Sequence, residues 1–220
     1  MAQVAAFQAG TALPRPQPNT AVPFPTIAPE TLARALADPG RTTANPITGE
    51  RLTFVVTAGE TGGAYCLVQG QLPAGSGVRF GRLPAHQHRT KTEIFHVVEG
   101  TLDFRLGAEA HLVLKPGDTI VVPPMTRHRF WNSSDGSVTL QVEIRPTERF
   151  EQFIRLFNGM AEEGRCSQRG IPFNPLDMAL LTEYGMDGLP LPMLAFFRAL
   201  IPLARWAGRD HALRKYLASA

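Results

Sequence analysis

The segment AHQHRTKTEIFHVVEG, residues 85–100, sets three histidines and a glutamate beside a run that alternates with the period of a β-strand. Along a strand successive side chains point to opposite faces, so residues two apart share a face. His86 and His88 therefore project together. The polar RTKT that follows makes a turn, and the next strand opens at Glu93, whose face is shared by Phe95 and Val97, while His96 points the other way. A fourth group stands downstream: His128, in PPMTRHRFWN (residues 123–132), has Phe130 and Asn132 on its own face. On three neighbouring strands of a closed barrel, His86, His88, Glu93 and His128 meet in an interior otherwise lined by apolar side chains. Polar groups buried there without partners are costly, and a divalent cation removes that cost.

The surrounding texture fits such a barrel. From about Leu52 the chain breaks into short strand-like runs, LTFVVTA, AYCLVQGQL, TEIFHVVEG, TLDFRLG, HLVLKPGD, TIVVPP, HRFWN and VTLQVEI, separated by turn residues such as Pro116-Gly117-Asp118. Many short runs at regular spacing indicate an all-β sandwich or small barrel. In VTLQVEIRP either Gln141 and Glu143 or Val142 and Ile144 face inward; solvent outside and apolar inside is the commoner arrangement.

Beyond Pro146 the hydrophobic period changes to that of a helix. In TERFEQFIRLFNGM the residues Phe150, Phe153, Ile154 and Phe157 form one apolar stripe, with Thr147 as the expected N-cap. Two further helical pieces are expected in LDMALLTEYGM and in LPLPMLAFFRALIPLARWAGRDHALRKY. The last carries Arg198, Arg205, Arg209, Arg214 and Lys215 against Asp210, together with Trp206. Such a basic amphipathic segment lies on an anionic membrane surface or covers an apolar surface of the same or a neighbouring subunit, and burying a sheet face is the more common use. At the other end, LPRPQPNTAVPFP (residues 13–25) cannot pair its backbone and reads as an extended arm. A short helix within residues 28–40 follows, with Leu32 and Leu36 on one face, stopped by Pro39 and Gly40.

Composition narrows the function classes. The formal charge of +3 over 220 residues, without a dense basic stripe, argues against nucleic acid. Cys66 and Cys166 are far apart in sequence and read as reduced, buried thiols. With no basic leader or spanning apolar run, a cytoplasmic protein is expected.

The two histidine-bearing stretches resemble the motifs of the cupin superfamily. The first runs Gly81, His86, His88, Glu93, Gly100; the second runs Gly117, Pro123, His128, Asn132. Two positions depart from the family pattern: Gly81 lies one residue too close to His86, and Met125 stands where a turn glycine is usual. The resemblance implies a double-stranded β-helix, the cupin jelly roll, over residues 49–146, with an N-terminal arm (residues 1–48) and a C-terminal α-helical extension (residues 147–220). It also implies a homodimer.

The ligand set is His86, His88, Glu93 and His128, holding one divalent transition metal. Three imidazoles and a carboxylate suit Fe(II), Mn(II), Ni(II), Co(II), Cu(II) or Zn(II), and four protein ligands leave one or two positions open for chemistry. Phe95, Val97 and Phe130 are the candidate pocket walls, and Glu93 is the candidate base as well as a ligand. The expected function is a metal-dependent enzyme acting on a small, partly apolar molecule, with a dioxygenase-type oxidation leading. The rivals are a metal- or ligand-binding cupin without turnover, as in a sensor or stress protein, and a barrel tethered to a membrane by its basic C-terminal helix.

Overall fold

A computed structural model describes residues 24–77, 85–108, 111–186, 188–211 and 214–217. Gly81 and the proline-rich arm before Phe24 lie outside the described residues. Among these residues the strands are β1 (Thr42–Ala44), β2 (Arg51–Val56), β3 (Cys66–Leu72), β4 (Thr92–Glu99), β5 (Leu102–Leu106), β6 (Leu112–Leu114), β7 (Thr119–Val122), β8 (His128–Trp131) and β9 (Val138–Arg145). They form a six-stranded sheet in the order β1-β2-β3-β9-β4-β7 and a three-stranded sheet in the order β6-β5-β8. All of these pairings are antiparallel.

Alternation decides what lies between the sheets. On β4 and β9 the register pairs Glu93 with Ile144, Phe95 with Val142 and Val97 with Leu140, and directly opposed residues share a face. That face meets Leu102, Phe104 and Leu106 of β5 and Leu114 of β6 in one buried core cluster. Each large side chain buried there stabilises the sandwich by about 1.5–3 kcal/mol. The turns need glycine where the chain reverses: Gly100, between β4 and β5, has φ 82°, and a Cβ there would press on the Ser137 carbonyl and Val138.

The outer face of β4 carries His96, whose Nδ1 lies 3.0 Å from Thr119 Oγ1 and whose ring stacks on Phe24. Residues around helix α1 (Pro29–Ala37) cover the neighbouring outer face, where Ala35, Val55 and Leu67 pack with Leu32 and Ile27. Two expectations change here. Leu36 does not join Leu32 but is exposed, because the contact with the sheet falls on the Ala35 side of the helix. And the sheet begins within the segment expected as an arm, since Thr42–Ala44 pair with Arg51–Thr53.

"All-β" is likewise too simple a description. Helices α2 (Phe150–Glu162), α3 (Pro175–Tyr184), α4 (Leu191–Ala199), α5 (Ile201–Trp206) and α6 (Arg214–Leu217) follow the sheets. Phe150 and Ile154 of α2 pack on Phe54, Cys66, Val68 and Ile144, while Phe153 and Phe157 join the cluster of the later helices. The predicted stripe is thus divided between two cores. Thr147 is not the N-cap: α2 is preceded by Arg149, and the Thr147 hydroxyl donates to the Gly63 carbonyl instead. The last expected helix is three short ones, because Pro202 has no N–H to continue the ladder and Gly208, with φ 69°, ends α5.

Several of the C-terminal cations are used internally. Arg165 and Arg209 both clamp the buried Asp177, Arg205 meets Glu183 at 2.5 Å, and Lys215 meets Glu163 at 2.7 Å. No helix among the described residues is long and apolar enough to cross a membrane. Cys66 and Cys166 are free and buried.

Candidate metal centre

A single isolated bridge sets the register of the site. His86 N–H donates to the His128 carbonyl at 3.0 Å and His128 N–H to the His86 carbonyl at 2.8 Å, so the two residues face each other and their rings lie 4.3 Å apart. His88 follows two residues on, its carbonyl accepting the Met125 N–H at 2.6 Å. Glu93 enters from the start of β4, with Oε2 at 2.9 Å from His128 Nε2 and 3.5 Å from His88 Nε2. One donor atom from each of His86, His88, Glu93 and His128 lies within 4.8 Å of the others.

The four expected ligands therefore converge, but not all as expected. Residues 87–91 form no strand; only the bridge at His86 holds the segment to β8. His86 is also exposed, whereas His88, Glu93 and His128 are buried. The site is a buried trio with its fourth member at the rim.

Electrostatics fit a cation. His128 Nδ1 lies 3.1 Å from the Thr126 carbonyl, which only accepts, so the proton sits on Nδ1 and the Nε2 lone pair points at the cluster. Burial by itself pushes the Glu93 carboxyl up; positive charge on the side of His128, His88 and His86 pulls it down, and with His128 Nε2 unprotonated a bound cation is the source of that charge. Glu93 Oε2 and His128 Nε2 are both buried without an aligned hydrogen bond, although they are close. Two acceptors facing each other in a dry site repel, and a positive ion between them resolves this. The donor set, nitrogen from three imidazoles and oxygen from one carboxylate, is that of a transition metal rather than a hard alkaline-earth ion.

Aromatic rings back the cluster. Phe95 lies 6.0 Å from the His128 ring and 5.3 Å from Phe130, and Phe104 stacks on His128 at 6.2 Å. Val97 sits deeper, fully buried in the sandwich core. On β9 the apolar set Leu140, Val142 and Ile144 faces inward and Glu143 faces outward to Arg145. Asn132, which ends the second motif, is structural: its Nδ2 donates to the carbonyls of Leu72, Pro73 and Gly136. His111 is bound to Asp103 at 2.6 Å and stacks on Trp131, away from the site. Arg129, next to His128, donates to the Gly77 carbonyl and lies over Trp131.

The helical part supplies neighbours that sequence reasoning missed. Phe150, the first residue of α2, sets its ring edge-on to His88 at 6.5 Å. Lys91, two residues before Glu93 in sequence and buried, reaches Glu148 at 2.7 Å. Arg89 donates to the Leu189 carbonyl at 2.8 Å, and Gly188 packs so tightly on Gln87 that a Cβ would overlap its carbonyl oxygen. Phe104 was legible in the alternation of TLDFRLG; the contacts of Gly188 and Arg89 span about a hundred residues and leave no local signal.

Residues 79–144 match the family model described as a cupin domain. No curated protein matches the chain in sequence. Among solved structures, the chain is similar to a sugar phosphate isomerase of the cupin superfamily from Silicibacter pomeroyi, at 22% identity and TM-score 0.39, covering 46% of this chain and 62% of that one. A putative sugar phosphate isomerase from Acidithiobacillus ferrooxidans shares 15% identity at TM-score 0.42, over 56% of this chain and 76% of its own. A predicted oxalate decarboxylase from Thermotoga maritima shares 16% at TM-score 0.40, over 47% and 90%. Likenesses of this degree carry no reaction or substrate over to this chain.

Proposed function

On the premise that residues 79–144 are a cupin domain, we propose that the protein is a mononuclear metal-dependent enzyme acting on a small, partly apolar molecule, with oxidation by dioxygen as the reaction type. The observation that carries this reading is the cluster itself: His86, His88, Glu93 and His128 with their donor atoms within 4.8 Å, two of those atoms buried without an aligned hydrogen bond. A bound transition metal supplies Lewis acidity and, for several of the fitting ions, one-electron chemistry at an open position.

The residues around it support an aromatic or enol-bearing substrate. Phe95, Phe104 and Phe130 offer an apolar wall beside His128, and the exposed His86 marks the side from which a molecule arrives. Asp103 is bound to His111 and Glu143 to Arg145, and among the described residues Glu93 is the carboxylate of the cluster. An aromatic wall beside an open metal position suits addition of oxygen to an electron-rich ring or enol. Glu93 would orient the substrate and accept its proton as it binds.

The test is elemental analysis of the purified protein, then oxygen uptake with flavonols, catechols, thiols and 1,3-diketones. Stoichiometric metal with substrate-dependent uptake that is lost in His128→Ala is the expected result. Tight metal and ligand binding without oxygen consumption or product would replace the enzyme reading with that of a binding cupin.

A further inference from the structure

We propose that helices α4 and α5 form a docking face for an anionic lipid bilayer, laid flat on its surface. The two helices are apolar on more than one side. Leu194 and Ala204 turn inward and are buried, with Ala204 in the core of the later helices. Leu191, Met193, Phe196, Leu203 and Trp206 remain exposed, Trp206 by 85%. A helix that is hydrophobic all round is normally buried, and a cluster of large exposed apolar side chains on one short stretch marks a contact surface.

Charge selects the occupant. From Leu191 to Arg209 the chain contains no aspartate or glutamate, but it contains Arg198, Arg205 and Arg209. Arg209 is committed to Asp177 and Arg205 to Glu183. Arg198 is exposed and meets no acid among the described residues. A second copy laid against this face would bring another Arg198, with no acid from the same stretch to answer it. A bilayer with anionic headgroups meets both requirements, since a phosphate takes Arg198 while the acyl boundary takes Phe196 and Leu203. Trp206 is the residue type that seats at the headgroup level.

The face is also tied to the metal motif through the chain. Leu189, whose carbonyl takes Arg89, and Gly188, which packs on Gln87, stand just before α4. A bilayer holding α4 would therefore hold the segment that braces the ligand loop.

The experiment is co-sedimentation of the full chain with vesicles of phosphatidylcholine, with and without about one third phosphatidylglycerol, followed by tryptophan fluorescence. Binding to the anionic vesicles, a blue shift on binding and weakening by added salt are expected. Phe196→Ser combined with Trp206→Ser should lower binding by about tenfold or more, and Arg198→Glu by about fivefold or more, with metal content unchanged. Absence of sedimentation and of any blue shift in the unaltered protein overturns the proposal, whatever the variants do. So does a dimer in solution that dissociates on Trp206→Ser, which would make the face a contact between copies.

Discussion

His86 and His128 are joined through their backbones by two hydrogen bonds of 3.0 and 2.8 Å, and this one bridge brings their imidazoles 4.3 Å apart. The ligand geometry thus depends on strand pairing rather than on side-chain contacts. His128 is buried and fixed by Thr126, so His128→Ala should lower metal affinity by about a hundredfold or more. His86 is exposed, and water can take its place, so His86→Ala should cost about tenfold. His96→Ala, on the other face of β4, should leave affinity unchanged. Competition with a chromogenic chelator reads all three.

Met125 has φ 62°, a left-handed backbone that side chains disfavour by about 1–2 kcal/mol. Its N–H holds the His88 carbonyl, while its side chain is half exposed and contributes little packing. Met125→Gly keeps the hydrogen bond and removes the strain, against a loss of about 0.5–1 kcal/mol from the freer unfolded chain. A net gain of about 0.5–1 kcal/mol is expected in urea unfolding, with metal affinity retained. Met125→Val should move stability the other way.

Glu60 takes both guanidinium nitrogens of Arg41, at 2.8 and 3.0 Å, and the Thr57 N–H at 2.8 Å. Arg41 above all holds its carboxyl down at about 2, against 4.5 ordinarily. A lowered carboxylate pKa stabilises the fold above the unfolded value and is lost as pH falls through the folded one. Because Glu60 is more than one-third exposed, screening limits the gain to about 1 kcal/mol. Glu60→Gln should therefore be about 1 kcal/mol less stable than the parent at pH 6, and the difference should close between pH 4.5 and about 2. Urea midpoints across that range test the sign.

Arg155 and Glu151 form a buried pair at 3.0 Å on α2, and the guanidinium lies over the Phe54 ring at 4.9 Å. This contact ties the helical part to β2. Arg155→Ala strands a buried carboxylate and should cost about 3–5 kcal/mol. Replacing both partners, Glu151→Leu with Arg155→Met, should cost far less, because no charge is left behind. Calorimetric melting distinguishes the two outcomes.

Much of the site was legible because its signals are local. Alternation paired His86 with His88 and separated Glu93 from His96, the resemblance to the cupin motifs brought in His128, and the four donor atoms do converge. On β9 alternation separated two sets without choosing between them, and the apolar one, the commoner choice, faces inward. What escaped depends on distant surfaces. His86 is exposed and residues 87–91 leave the regular strand although His88 stays buried, which no local period records. Thr147 resembles a cap in sequence, but Gly63 offers its hydroxyl a partner from another loop. In α4 and α5 the apolar residues run all round, so the sequence could not say which side is covered.

Gly188 gives the sharpest test of whether the helical part matters to the metal centre. It lies about a hundred residues from Gln87 in sequence, yet its backbone rests against the Gln87 carbonyl, between His86 and His88, where a methyl group has no room. The atom it would strike is backbone, so a flexible side chain cannot swing aside; either the ligand loop or the segment before α4 must move. Arg89, bonded to Leu189, resists separation of the two. Gly188→Ala should therefore weaken metal affinity by about tenfold without touching a ligand. Arg89→Ala, which loosens the same contact without a clash, should weaken it less. Metal titration of the two variants, beside melting curves taken without metal, separates displaced ligands from general loss of stability: affinity unchanged in Gly188→Ala would mean that the ligand loop holds its geometry independently of the helices.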